Sequence, residues 1–349
     1  MQTIADDELL YRSEVCPSEG VRRRETITKA IRVHETGGPE VLSVEDVALP
    51  TPSEGEALVK LEAVGVNFID VNQRSGAYKV ALPFTPGTEG AGVVTETGPG
   101  VSEVSVGDRV AFAGEPGAYS EYFVVKADRL VAVPDGVTTE QAGAVMLQGM
   151  TSHYLLNSIC TFEEEDWCLV HAAAGGVGLL LTQMARRLGL RVVGTVSTSA
   201  KAERARAGGA DHVVIYSEED FEAAVRDVTE GRGVRAVFES VGKATFDHSL
   251  RCLAPRGYLI LFGQTSGPVD PVDPRRLQQG RSLFLTRPAL VDYISTRDAL
   301  LWRSREVLSL VAEGGLHVHV HERFDLEAAS EAHRALASRA TVGKLILVP

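Results

Sequence analysis

A glycine-rich turn between a predicted strand and a predicted helix is the segment of this sequence best suited to bind phosphate. Residues 169–178 read LVHAAAGGVG, and Ala173 stands where the first glycine of a dinucleotide-binding fingerprint would be. The missing side chain at Gly175 would let a pyrophosphate approach the backbone, and Gly178 would let the helix pack closely on the strand. The helix would direct free N–H groups and the positive end of its dipole at the phosphates. The pattern predicts dinucleotide binding by Gly175, Gly176, Val177 and Gly178.

The next predicted strand ends without the acid that many NAD enzymes place on the adenosine ribose. Residues 193–201 read VGTVSTSAK, and no acid follows until Glu203. Hydroxyl groups such as that of Ser197 and the ammonium group of Lys201 can donate to a 2′-phosphate, which an aspartate would repel. Tyr216, at the end of the following strand, could cover the same phosphate or the adenine. This segment therefore favours NADPH over NADH, the alternative being that Lys201 is an ordinary solvated lysine.

Alternating strands and helices position these residues. We predict strands at 167–171, 191–195, 212–215, 235–238 and 257–262, and helices at 177–188, 200–207, 218–229 and 244–253. Because parallel strands are normally connected through a helix, this order predicts a doubly wound parallel sheet, in an α/β protein. The first half, residues 28–150, is mostly β with glycine and proline turns. After residue 298 we predict a helix at 300–313, a strand at 316–320, a helix at 326–336 and a strand at 344–348, and these strands could rejoin the first half.

The composition is that of a folded protein with two domains. A chain of 349 residues exceeds the roughly 250–300 residues at which one core stops growing. The net charge of −12 disfavours nucleic-acid binding, and Arg22, Arg23 and Arg24 are expected to be a solvated tail. No apolar run suits a membrane span or a signal peptide, so we expect a cytoplasmic protein. Cys16, Cys160, Cys168 and Cys252 have no Cys-x-x-Cys spacing, which predicts reduced thiols.

Six separated segments match one family in their order and spacing. They are GVNFID at 65–70, RSGAY at 74–78, PGTE at 86–89, GAYS at 117–120, the turn at 172–178 and SRAT at 338–341. Together they resemble the zinc-free quinone oxidoreductases, the zeta-crystallin-like branch of the medium-chain dehydrogenase/reductase superfamily. The resemblance implies a GroES-like, β-rich catalytic domain formed by residues 28–150 and 291–349. It also implies a Rossmann NADPH-binding domain at 151–290, with residues 1–27 as an N-terminal extension.

The resemblance implies that no metal is bound. Zinc-dependent members of the superfamily hold catalytic zinc with Cys, His and Cys, and those positions correspond here to Asn67, Thr88 and Gln148. Amides and hydroxyl groups are poor zinc ligands, and Glu89 alone makes no site. Without a Lewis acid to lower the pKa of an alcohol, alcohol oxidation loses its usual chemistry, whereas a quinone already accepts hydride or electrons well. The expected reaction is therefore NADPH-dependent quinone reduction, with reduction of α,β-unsaturated carbonyls as the alternative.

The resemblance also implies roles for individual residues. Asn67 and Tyr78 would lie beside the nicotinamide and the substrate as catalytic residues; the alternative is a buried amide and an aromatic side chain packing the cleft wall. Further cofactor contacts are implied for Thr151, Ser240, Val241, Phe262, Gly263, Arg287, Arg339 and Lys344. Arg339 would be a second cation for the adenosine phosphate. No dedicated general acid is evident, so Tyr78 or solvent would protonate the product.

Three further expectations concern partners and histidines. By resemblance the protein forms a homodimer through the apolar edge at residues 282–286. A crystallin-like structural role or RNA binding is the non-enzymatic alternative, and the acidic charge argues against RNA. His317, His319 and His321 would share the solvent-facing side of a strand rather than bind a metal. His171 is expected to be structural.

Overall fold

A computed structural model describes residues 26–349. Cys16, the arginines at 22–24 and nearly all of the predicted N-terminal extension lie outside the described residues. The strands are β1 (Ile27–Arg32), β2 (Ser43–Ala48), β3 (Glu56–Val66), β4 (Glu89–Thr97), β5 (Arg109–Ala113), β6 (Tyr122–Lys126), β7 (Val131–Ala132), β8 (Trp167–Val170), β9 (Arg191–Val196), β10 (His212–Ile215), β11 (Val234–Glu239), β12 (Leu253–Leu261), β13 (Phe284–Thr286), β14 (Val320–Asp325) and β15 (Lys344–Val348).

The helices alternate with strands in the middle of the chain and cluster near its end. They are α1 (Phe68–Arg74), α2 (Thr139–Asn157), α3 (Gly176–Arg187), α4 (Ser199–Ala207), α5 (Phe221–Val228), α6 (Phe246–Cys252), α7 (Arg275–Gln279), α8 (Leu290–Tyr293), α9 (Arg297–Ala312) and α10 (Ala329–Ala337). None of these helices, all within residues 26–349, combines the length and the apolar composition needed to cross a membrane.

Six parallel strands form the predicted doubly wound sheet, in the order β10-β9-β8-β11-β12-β13. The direction of winding reverses between β8 and β11. In open α/β sheets ligands bind outside the carboxyl ends of the strands at such a reversal. The strand and helix alternation read from the sequence is therefore confirmed, and it places the glycine-rich turn after β8 at the expected ligand position.

A seven-stranded sheet joins the two ends of the chain. Its order is β14-β15-β3-β4-β5-β7, with β6 paired to β3. β15 runs antiparallel to β3, and Leu345 faces Val66 in the register. The expectation that the last strands rejoin the β-rich first half is confirmed by this pairing.

Helix α2 packs between the two sheets. Thr138 and Gln141 form a capping box at its start, each side chain paired with the other residue's backbone N–H. Its buried residues occupy every side of the helix from Ala142 to Leu156, because β3, β4 and β5 lie on one side while α3 and α9 lie on the others. The helix thus holds Gln148 and Thr151 at the junction of the two sheets.

The predicted strand at 316–320 is wrong, because the strand begins only at Val320. The side-chain amide of Gln183 accepts from the N–H of His317 at 2.8 Å and donates to its carbonyl oxygen at 3.2 Å. The Gln183 amide thus takes the backbone hydrogen bonds that a neighbouring strand would make with His317. The alternating residues before Val320 are therefore not paired in a sheet. His321 alone of the three histidines belongs to β14. Helix α5 begins three residues later than predicted, because Asp220 caps it by accepting from the N–H of Glu222.

Candidate active site

The glycine-rich turn connects β8 to α3 in a tight loop. The N–H of Gly175 donates to the carbonyl oxygen of Ala172 at 2.8 Å. A Cβ atom at Gly178 would collide with that same carbonyl oxygen and would lie 2.8 Å from the Cα atom of Ala173. Glycine is therefore required at 178 by the close packing of helix on strand, as the sequence argument expects. Ala172 has a φ of 51°, a conformation that disfavours residues with a side chain and recurs at functional turns.

A segment from the other sheet closes on this turn. The N–H of Gly343 donates to the carbonyl oxygen of Ala174 at 3.0 Å, and Gly175 and Gly343 form an isolated parallel bridge. Gln148 of α2 lies against Gly176, since a Cβ atom there would touch its side-chain amide. Thr151, three residues further along α2, is buried. The start of α3 is thus enclosed by α2 and by the segment before β15.

The predicted adenosine-phosphate residues gather beside the end of β9. Thr198 caps α4 by accepting from the N–H of Lys201. The ammonium group of Lys201 donates to the carbonyl oxygen of Arg339, and burial lowers its pKa. Tyr216 is half-exposed and its N–H donates to Val196 at 3.1 Å. Ser197 follows β9 directly, so the structure brings Ser197, Lys201, Tyr216 and Arg339 to one edge. The guanidinium group of Arg339 donates to the carbonyl oxygen of Thr265.

The turns after β11 and β12 form one wall. The N–H of Thr265 donates to the carbonyl oxygen of Ser240 at 3.2 Å, and that of Ser266 donates to Val241 at 2.7 Å. Gly263 packs on Ser240, because a Cβ atom there would lie 2.8 Å from the Ser240 carbonyl oxygen. The Ser240 hydroxyl group donates to the carbonyl oxygen of His171 at 3.3 Å. Ser240, Val241, Phe262 and Gly263 therefore adjoin the glycine-rich turn.

Arg287 is the predicted cofactor residue that the structure places apart from the others. It follows β13 and is exposed. In the part of the chain that the structure describes, no hydrogen bond joins Arg287 to another predicted site residue. β12 separates β13 from β11, so Arg287 stands two strands away from the reversal of the sheet.

Asn67 lies in a buried polar cluster made from three distant segments. Its amide nitrogen donates to Glu89 Oε2 at 2.9 Å, and its amide oxygen accepts from the Lys344 ammonium group at 2.7 Å. The same ammonium group forms an ion pair with Glu89, whose other oxygen accepts from the N–H of Leu147 at 2.7 Å. Asn67, Glu89 and Lys344 are 4%, 0% and 2% exposed. The orientation of the Asn67 amide is fixed by a cation on one side and an anion on the other.

Asp70, in the first turn of α1, extends this cluster. It accepts from the N–H of Asn67 at 2.8 Å, from the Tyr119 hydroxyl group at 3.2 Å and from Thr88 at 3.4 Å. Burial raises the pKa of Asp70 to about 7, although the Asn67 N–H, Lys344 and Tyr119 favour its ionised form. His333 Nε2 lies 3.0 Å from the Tyr119 oxygen, and burial lowers the pKa of His333 to about 3. Asn67 and Thr88, which the sequence argument compared with zinc ligands, thus hydrogen-bond to protein groups.

Sequence reasoning missed Asp70, Tyr119 and His333, and it noted Glu89 and Lys344 without pairing them. The GVNFID and GAYS segments contain Asp70 and Tyr119, but nothing in their spacing indicates contact. Within residues 26–349, no three His, Cys, Asp or Glu side chains come together as a possible metal site. The predicted contact of Lys344 with the cofactor stays a prediction.

Tyr78 lies beyond the far end of α1 from Asn67. Its N–H donates to the carbonyl oxygen of Asn72 at 2.9 Å and its side chain is 37% exposed. Asn67 caps the other end of the same helix. The structure thus leaves Tyr78 partly exposed while Asn67 is enclosed.

His171 is buried beneath the cleft. Its Nδ1 lies 2.9 Å from the Thr195 hydroxyl oxygen and its Nε2 lies 2.9 Å from that of Ser249. Burial lowers its pKa, so the ring is neutral near pH 7. Both nitrogens are engaged, as expected of a structural histidine.

Comparison with known proteins agrees with this arrangement. Residues 53–135 match the family described as alcohol dehydrogenase GroES-like domain, and residues 208–347 match zinc-binding dehydrogenase. A Salmonella typhimurium quinone oxidoreductase is 45% identical over 91% of this chain and 99% of its own length. A Burkholderia 2-haloacrylate reductase is 40% identical over 91% of this chain and 98% of its own.

A solved structure gives the same result. The Escherichia coli quinone oxidoreductase in complex with NADPH is 42% identical, with a TM-score of 0.90 over 92% of this chain and all of that chain. High identity over nearly the full length of these relatives, together with the two sheets, decides the family. The chain belongs to the quinone oxidoreductase family of the medium-chain dehydrogenase/reductase superfamily.

Proposed function

We propose that the protein reduces quinones with NADPH in the cleft between its two sheets, without zinc. The observation that carries the proposal is the reversal of the sheet between β8 and β11, with the glycine turn directly after β8 and the cations Lys201 and Arg339 in contact at the adenosine edge. The relatives named quinone oxidoreductase, one of them solved with NADPH, support it.

The residues present fit NADPH. Gly175, Gly176, Val177 and Gly178 would hold the pyrophosphate at the start of α3. Ser197, Lys201, Tyr216 and Arg339 would hold the 2′-phosphate, since the two cations attract the charge that distinguishes NADPH from NADH. The nicotinamide side would be lined by Ser240, Val241, Phe262 and Gly263. Thr151 and Lys344 would contact the cofactor from α2 and β15, and Arg287 lies apart from this group. The bound cofactor supplies the hydride for the reaction.

The protein's own groups would orient the substrate and supply a proton. The Asn67 amide is held rigid by Glu89 and Lys344, which suits it to define one wall of the cleft. Tyr78 is partly exposed beyond α1, and either its hydroxyl group or solvent would protonate the product. The buried Lys344 ammonium group, paired with Glu89, donates to the Asn67 amide oxygen and so holds this wall in place.

Reduction of α,β-unsaturated carbonyls is the second candidate. The Burkholderia relative, named 2-haloacrylate reductase, favours it. The test is NADPH oxidation against a panel of quinones, enones and acrylates, with NADH as the comparison cofactor. Faster turnover of quinones than of enones supports the proposal, and the reverse order replaces it with the alternative. No turnover of any acceptor, with NADPH bound, would favour a non-enzymatic role.

The absence of zinc is tested separately. We expect elemental analysis of the purified protein to find far less than one zinc per chain, and chelators to leave quinone reduction unchanged. One tightly held zinc per chain would contradict the proposal. We expect this because Asn67 is hydrogen-bonded to Glu89 and Lys344, and Thr88 is hydrogen-bonded to Asp70.

The domain division and the homodimer are also proposals. A catalytic domain of residues 28–150 and 291–349 agrees with the pairing of β15 and β3, although the boundary at 150 falls inside α2. A dimer would pair the β13 edges, where Phe284 is 49% exposed while Leu283 is buried. Light scattering at micromolar concentration should give twice the chain mass. A cytoplasmic location stays a prediction from composition.

A further inference from the structure

A buried carboxylate lies at the root of the cleft wall. Glu239 is the last residue of β11 and is 0% exposed. Its Oε1 accepts from the N–H groups of Val241 at 2.8 Å and Gly242 at 3.0 Å, and the Thr245 hydroxyl group lies 2.9 Å from both carboxylate oxygens. The side chain therefore fixes the turn that follows its own strand.

The backbone of the same residue holds the neighbouring turn. The carbonyl oxygen of Glu239 accepts from the N–H groups of Phe262 at 3.0 Å and Gly263 at 3.2 Å. Gly242 has a φ of 89°, and a Cβ atom there would lie 2.8 Å from the carbonyl oxygen of Gly267. The turns after β11 and β12 thus pack closely on each other at Gly242. Both turns are hydrogen-bonded to Glu239.

The second carboxylate oxygen continues the cluster toward β8 and β9. The Ser249 hydroxyl group donates to Glu239 Oε2 at 2.7 Å and lies 2.9 Å from Nε2 of His171, which reaches Thr195 with its other nitrogen. His171 is neutral near pH 7 because burial lowers its pKa. Nε2 of His171 itself lies 3.5 Å from Glu239 Oε2, and within residues 26–349 no Lys or Arg side chain hydrogen-bonds this carboxylate. A buried carboxylate without a Lys or Arg partner depends on such donors, so their geometry is tightly determined.

We propose that Glu239 is a positioning residue for the nicotinamide half of the cofactor. Its carboxylate presets the turn containing Ser240 and Val241, and Ser249 and His171 link that turn to the ends of β8 and β9. This role rests on the proposed NADPH function. The Glu239 carboxylate makes no hydrogen bond of its own to Ser197, Lys201, Tyr216 or Arg339, so its effect should be larger on the nicotinamide side than at the adenosine edge.

The experiment compares two ligands in the substitution Glu239→Gln. The amide keeps the size and one acceptor for Val241 and Gly242, but its NH₂ group faces the hydroxyl donors of Thr245 and Ser249. We expect the Kd of NADPH to rise about tenfold, as for loss of one charge-assisted hydrogen bond. Binding of adenosine 2′,5′-bisphosphate, which lacks the nicotinamide half, should be nearly unchanged. Both are measured by titration calorimetry on the full chain.

A matched control separates positioning from general destabilisation. Val225→Ala removes buried methyl groups from α5 without removing a hydrogen bond of the Glu239 network, and should lower the Tm while leaving both ligands bound as in the wild type. Equal weakening of both ligands by Glu239→Gln, or of neither, would overturn the positioning role. If Glu239→Gln does not fold, Thr245→Val decides: a smaller loss confined to NADPH supports the role, and unchanged NADPH binding overturns it. If the wild type binds neither ligand, the proposed function fails, and the positioning role fails with it.

Discussion

The glycine-rich turn and the cluster around Asn67 differ in how far apart along the chain their partners lie. The turn closes on itself through the 2.8 Å bond from the Gly175 N–H to Ala172, and a bond from Gly343 to Ala174 adds a distant contact. The cluster joins Asn67 to Glu89, 22 residues away, and to Lys344, 277 residues away. The shape of the turn is therefore set mainly by a short sequence, whereas the cluster exists only when distant segments of the chain have assembled.

The two regions also handle charge differently. The turn would meet phosphate charge with N–H groups and a helix dipole, without any ionised side chain among Gly175 to Gly178. The cluster buries a full ion pair. The attraction between buried opposite charges offsets their desolvation only when their remaining polar atoms are hydrogen-bonded. Asn67 and Leu147 provide that pairing. Damage to the cluster should consequently reduce stability, and damage at the cofactor edge should reduce affinity.

The largest expected effect is on stability, from Lys344→Met. Removal of the ammonium group leaves Glu89 charged, buried and without a cation, which typically costs about 3–5 kcal/mol. Urea unfolding measures the loss. The double substitution Lys344→Met with Glu89→Gln should recover part of it, because the unpaired charge is gone. Equal stability of the single and double variants would mean that the unpaired Glu89 charge is not what destabilises Lys344→Met.

An exposed ion pair provides the control for this substitution. Lys29 and Glu327 lie 2.6 Å apart with about half of each side chain exposed to solvent. Lys29→Met should reduce stability only slightly, since water screens exposed pairs. A loss as large as that of Lys344→Met would show that the comparison between buried and exposed pairs does not hold here.

The second effect is on affinity, from Lys201→Ala. A charge-assisted contact with the 2′-phosphate is worth ~1.5–3 kcal/mol, or roughly 10- to 150-fold in Kd. NADPH binding should weaken by that factor while NADH binding stays nearly unchanged, as measured by fluorescence titration. Lys126→Ala, at the end of β6, is the control. Equal weakening of both cofactors would mean that Lys201 acts through folding, and equal wild-type affinity for NADH and NADPH would overturn the cofactor preference.

The features that could be predicted from the sequence are those set by residues close together in the chain. The strands around the turn and the requirement for Gly178 follow from local pattern, and the structure confirms them. The strand at 316–320 was predicted wrongly because the Gln183 amide, 134 residues away, pairs with His317. Glu89 was set aside as an isolated acid for the same reason: its cation, Lys344, comes from the last strand. No periodicity within a segment encodes such a contact.

The third expected effect is the pH dependence that Asp70 gives to stability, which develops gradually with pH. The pKa of Asp70 is about 7 in the folded protein and about 4 in an unfolded chain. Between about pH 4 and pH 7 the carboxyl group is therefore more often protonated in the folded state than in the unfolded state. Stability from this group is complete below about pH 4 and is lost as the pH rises through 7, by at most ~1.4 kcal/mol per pH unit. Glu89 opposes ionisation of Asp70, Lys344 and Tyr119 favour it, and His333 is neutral over this range.

Asp70→Asn should remove this dependence. Urea unfolding of wild type and variant at several pH values should give a difference in free energy that moves in favour of the variant as the pH rises toward 7. Parallel stability curves would mean that Asp70 ionises alike in the folded and unfolded states. Lys201→Ala is the matched control, because the cofactor edge contains no carboxylate in this network, and its stability should follow the wild-type curve. The pH dependence would then belong to the cluster assembled from distant segments and not to the local turn.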